Sequence, residues 1–81
     1  MKENENPLLL GTMRLTIMGR HACLVENFKG IMEYNDEIVI VQSKKECAIL
    51  RGKCLQIPYY TKDEMKILGD IETLEIKDLL L

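Results

Sequence analysis

The chain has 81 residues, 11 Lys/Arg against 13 Asp/Glu for a net charge of −2, and 47% apolar residues. That length gives room for one domain and one core, burying roughly 60% of the unfolded surface. A slightly acidic chain without a basic run excludes the electrostatic footprint of a nucleic-acid partner, and no apolar run exceeds four residues, against the roughly 20 of a membrane span.

Residues 1–12 read as a flexible or loosely attached N-terminal segment, ahead of a single β domain over residues 13–81. The Leu run at 8–10 is too short for a signal-peptide core. Cys23, Cys47 and Cys54 are an odd number and form no C-x-x-C pair, so a cytoplasmic chain without a disulfide framework is expected.

From Met13 onward the signal is alternation. Met13, Leu15 and Ile17 alternate with Arg14 and Thr16 in a first strand, and Gly19 interrupts before a second strand at 21–26. Asn27 and Gly30 occupy the first and fourth positions of an expected type I turn. A third strand at 31–34 meets Asn35-Asp36, which suits a tight hairpin, and the fourth, at 37–42, has β-branched residues at all of 38–41. Residues 43–46 form a charged loop, and Gly52 separates a fifth strand (47–51) from a sixth (53–57), which Pro58 is expected to stop. A seventh strand at 64–68 and an eighth at 71–76 flank Gly69-Asp70, before a Leu tail at 79–81. No helical apolar period is sustained anywhere.

Seven or eight short strands with turn signals predict an all-β fold, a small antiparallel β-sandwich of about immunoglobulin-domain size. A short β-solenoid or barrel is the alternative. Segments 15–19, 48–52 and 65–69 share the form apolar, any, apolar, any, Gly. Their spacings of 33 and 17 are unequal, which favours ordinary hairpins or bulges over a repeat. Gly19, Asn27, Gly30, Gly52 and Gly69 are thus the expected structural turns, with Gly52 and Gly69 at positions that resist a Cβ.

Chemistry is sparse. His21 and Cys23 lie two apart on one strand face, a pairing that a thiol nucleophile or a metal site would need. Strand geometry separates such positions by roughly 7 Å, and no third residue is placed to orient the base. Glu72, Glu75 and Asp70 read as a solvated face, and Glu26 as a local backbone acceptor. No catalytic, metal or cofactor site is expected. The informative feature is an apolar surplus, because the second and fourth strands are apolar on both faces. The expected assignment puts Ile38 and Ile40 in the core, leaving Val39 and Val41, with Leu24, as a partner-binding face.

The ordered motifs carry a resemblance. Residues 15–19 lead into a strand ending Val25-Glu26-Asn27-Phe28-Lys29-Gly30-Ile31, followed by Asp36-Glu37-Ile38-Val39-Ile40-Val41, then residues 48–57 and 65–71. Over about residues 13–76 this resembles the small YabP/YqfC family of sporulation proteins, more the YqfC side because of the Glu-Asn-x-x-Gly turn. The resemblance implies a small β-sandwich acting in endospore formation, in the mother-cell cytoplasm near the forespore membrane. It also implies a protein partner, a membrane protein encoded alongside, and no catalytic residues. One departure is Glu46, where such proteins often place Gly, so a longer hairpin is expected there. The reading is a non-enzymatic assembly or adaptor factor in spore-envelope formation, with homo-oligomerisation as a further expectation. The competing reading is a small thiol- or metal-dependent enzyme using His21 and Cys23.

Overall fold

In the computed structural model, which describes residues 11–79, the alternating segments form six strands and no helix. These are β1 (Arg14–Met18), β2 (Ala22–Glu26), β3 (Gly30–Tyr34), β4 (Ile38–Gln42), β5 (Glu46–Tyr60) and β6 (Glu64–Asp78). Their order in one sheet is β1-β2-β6-β5-β4-β3, every pairing antiparallel and the sheet open. The all-β expectation holds, and neither a solenoid nor a closed barrel forms. The expected N-terminal segment lies outside the described residues except for Gly11 and Thr12, as do residues 80–81 of the Leu tail.

Strand number falls to six because the backbone runs on through both glycines. A straight 15-residue strand would measure about 50 Å, yet the longest dimension of the molecule is 36 Å. The long β5–β6 hairpin is therefore bent near its middle. Ladder irregularities lie between Arg51 and Gly52 and between Lys53 and Gln56, with Cys54 at φ 55° and Gly69 at φ 141°. A Cβ on Gly52 would run into the Asp70 carbonyl oxygen, so the two strands meet there where only hydrogen fits. Pro58 does not stop β5. Its missing N–H falls between irregular pairings, on a stretch that among the described residues has no strand on its other side.

The bend divides the sheet into halves that cover one another. One half holds β1, β2, the start of β6 and the end of β5; the other holds β3, β4, the start of β5 and the end of β6. Residues from both halves meet in one core: Cys23, Val25, Met65 and Ile67 with Val39, Val41, Ala48 and Leu50, joined by Leu55 and Ile71 at the bend. The result is a small sandwich built from a single folded sheet.

The halves are also pseudo-two-fold equivalents. Ala22 pairs with Leu68 as Ile38 pairs with Arg51, and each long strand then meets its glycine. Gly69 N–H donates to His21 O at 3.1 Å, as Gly52 N–H donates to Glu37 O at 3.0 Å. Ile71 N–H donates to Arg20 O and Leu55 N–H to Asp36 O, at 2.8 and 2.9 Å. Each short hairpin thus grips one long strand at its bend by the backbone of its turn. The 17-residue spacing of the 48–52 and 65–69 segments is this symmetry. Gly19, at φ 60°, belongs instead to the β1–β2 turn.

The loops follow side-chain chemistry. Ser43 and Thr61 close two-residue loops alike: each hydroxyl donates to a Glu carbonyl (Glu46 or Glu64) and accepts from the same residue's N–H, at 3.0–3.1 Å. The hairpin before Glu46 is therefore tight, not lengthened. Asn35 accepts from the N–H of Glu37 and of Ile38 at 2.8 and 3.0 Å, confirming the expected tight turn. The Asn27–Gly30 segment is not a hairpin turn, because β2 and β3 lie in different halves. It is a crossover: Asn27 adopts φ 65° and donates through Nδ2 to Thr12 O at 3.1 Å, while Gly30 already starts β3.

Candidate functional site

The fourth strand reverses the expected assignment. Val39 and Val41 are fully buried, opposite Leu50 and Ala48, whereas Ile38 and Ile40 are half-buried on the outer face. Alternation defines two sets but not their sides, and the register on β5 decides which set turns inward. Val39 and Val41 therefore serve the core, each contributing roughly 1.5–3 kcal/mol by burial. Leu24 sits on the opposite side of its strand from the buried Cys23 and Val25, so the three expected partner-binding residues share no face.

Both outer faces are nevertheless apolar at their centres. In the half containing β1, one cross-strand row runs Met18, Ala22, Leu68, Gln56 and the next runs Thr16, Leu24, Lys66, Tyr59. Met18 and Leu68 remain exposed and Leu24 half-buried. In the other half Ile38 and Ile40 stand opposite Arg51 and Ile49. Ile49 and Cys47 are buried on this face, outside the main core cluster. Sequence reasoning found the surplus but missed Met18 and Leu68 as its exposed part and the half-buried Ile38 and Ile40 as its outer-face part. Cross-strand register, absent from local sequence, was the missing signal.

His21 and Cys23 are not brought together for catalysis. His21 is exposed at the β1–β2 turn, where its carbonyl accepts the Gly69 N–H. Cys23 is fully buried, and removal from water pushes its thiol up to about 11. At neutral pH it stays a protonated thiol, a poor nucleophile. Cys47 lies on an outer face and Cys54 at the bend, both as free thiols. Among the described residues no group of three His, Cys, Asp or Glu side chains is placed to hold a metal ion, and no helix is long and apolar enough to cross a membrane.

A recess of about 870 Å³ opens at the loop end of the molecule, where Arg14, Lys29, Lys44 and Lys62 meet Glu26 and Asp63. All four cations are exposed, and no buried polar side chain among the described residues lacks a hydrogen-bond partner. The rim is solvated and its charges are mixed, which is not the construction of a small-molecule pocket. Chemically, the described surface offers apolar sheet faces and backbone edges for docking.

The family model described as the YabP family matches residues 10–79. No curated protein and no solved structure matches the chain.

Proposed function

We propose, since this chain belongs to the YabP family, that it is a non-enzymatic sporulation protein serving as an assembly or adaptor factor in spore-envelope formation. The family match carries this reading, because it spans the whole described sheet, from the approach to β1 to the residue after β6. The Glu26-Asn27-x-x-Gly30 crossover supports its placement on the YqfC side of the family. The partner is a membrane protein encoded alongside, met in the mother cell at the forespore membrane. Exposed Met18 and Leu68 on one outer face, and half-buried Ile38 and Ile40 on the other, supply contact area without opening the core. The buried, protonated Cys23 supports a role without thiol chemistry.

The test is membrane fractionation of sporulating cells with and without the neighbouring membrane protein. The chain is expected in the membrane fraction only when that protein is present, and Leu24→Lys with Leu68→Lys is expected to release it while the β spectrum persists. Normal spore envelopes in cells lacking the chain, or fractionation indifferent to the neighbour, overturn the proposal.

A further inference from the structure

Among the described residues, the end of β6 has a strand on one side and none on the other. Residues 72–78 are all exposed, and among the described residues their only ladder is to β5, since β2 stops pairing at Leu68. Leu79 N–H donates to Lys45 O at 2.8 Å, in regular continuation of that ladder. Odd-numbered residues here therefore bond toward β5, and Leu74 and Ile76 turn their N–H and C=O groups to the open edge. Their side chains are 38% and 47% exposed. Native edges are usually blunted by Pro, a bulge or an inward-pointing charge. This segment contains no Pro, its pairing with β5 is regular from Thr73 to Asp78, and the one inward-facing charge of that run, Asp78, stands at its end.

We propose that this edge pairs with the same edge of a second copy, antiparallel and centred on Ile76. Two-fold pairing around an axis perpendicular to the sheet sets each residue opposite one of like parity, which leaves few registers. Centring on Glu75 sets it against itself and Glu72 against Asp78; centring on Lys77 sets lysine against lysine. Centring on Leu74 matches no charge with its opposite. Centring on Ile76 sets isoleucine against isoleucine and, on each side of it, Glu75 against Lys77 of the second copy. Those charged residues occupy the non-hydrogen-bonded positions of the new ladder, where cross-strand side chains approach closest. Charge complementarity thus selects both the occupant and the register.

Sedimentation equilibrium of the full chain tests this directly. The wild-type chain is expected at twice 9.4 kDa, dissociating on dilution. Glu75→Lys and Lys77→Glu each set like charges opposite one another twice, and each is expected to weaken dimerisation by about tenfold or more. An equimolar mixture of the two variants restores opposite pairs across the interface, so a heterodimer is expected where neither variant dimerises alone. Both side chains are more than half exposed, so the fold is unaffected, which circular dichroism checks. A wild-type chain that remains at 9.4 kDa, single variants that dimerise like wild type, or a mixture no stronger than its components each overturns the proposal.

Discussion

Two stretches of β6 carry the same alternation and meet opposite fates. Met65 and Ile67 alternate with polar residues and are fully buried, whereas Leu74 and Ile76 do the same and stay 38% and 47% exposed. The first stretch lies between β2 and β5, and its inner side chains join the common core. Among the described residues the second pairs with β5 alone. Residue type and period are nearly constant along the strand, so the number of flanking strands and the opposing half-sheet decide burial. A regular apolar pattern is a statement about faces, and only the fold says which face is covered.

The largest way to break this contrast is to charge the covered side. Val39→Lys with Val41→Lys buries two ammonium groups at fully buried positions, costing several kcal/mol against a total stability of about 4–12 kcal/mol for a domain of this size. Loss of the cooperative melt and of the β spectrum is expected; a folded double variant would place these valines outside the core. Next, Ile67→Ala is expected to lose about 2–5 kcal/mol in urea unfolding, and Ile76→Ala less than about 1 kcal/mol. Equal losses would erase the distinction between the two stretches. The bend gives a smaller effect. Gly52→Ala forces a methyl onto the Asp70 carbonyl and is expected to cost about 1–3 kcal/mol, while Gly30→Ala, with open space around its Cβ position, is expected within about 1 kcal/mol of wild type.

The smallest effect is in pH dependence. Burial raises the Cys23 thiol from 9.0 to about 11 in the folded chain. Below pH 9 the thiol is protonated whether the chain is folded or not, and its contribution is complete. As pH rises from about 9 toward 11 the unfolded chain gives up this proton first, so that contribution is lost. The difference in stability between wild type and Cys23→Ala is expected to narrow across that interval. A constant difference would mean that the folded thiol titrates as it does in water.

Several elements were legible before the fold was known. Asn35-Asp36 announced its hairpin because a short side-chain amide can accept from the two N–H groups that follow. Gly52 and Gly69 announced special positions, yet read locally they looked like strand ends. Whether a glycine ends a strand or lets it bend depends on a second chain passing close by, here the Asp70 and Cys54 carbonyls. Cys54 gave no signal at all: its φ of 55° is imposed by the bend, in a residue with no preference for that region. The partner face was misread for a related reason, since Leu24 and the two valines qualified by composition and only register could separate them.

Sequence alone determined the β class, the alternating sets and the tight Asn35-Asp36 turn. These follow from side-chain branching, period two and short-range hydrogen bonding, all of which act within a few residues. The tertiary structure decided that four expected strands are two bent ones, that Val39 and Val41 turn inward, that residues 27–29 cross between half-sheets, and that the end of β6 pairs, among the described residues, with one strand. Each of these depends on contacts between segments far apart in the chain. A strand's own residues define its two faces equally well, and only its neighbours break the tie.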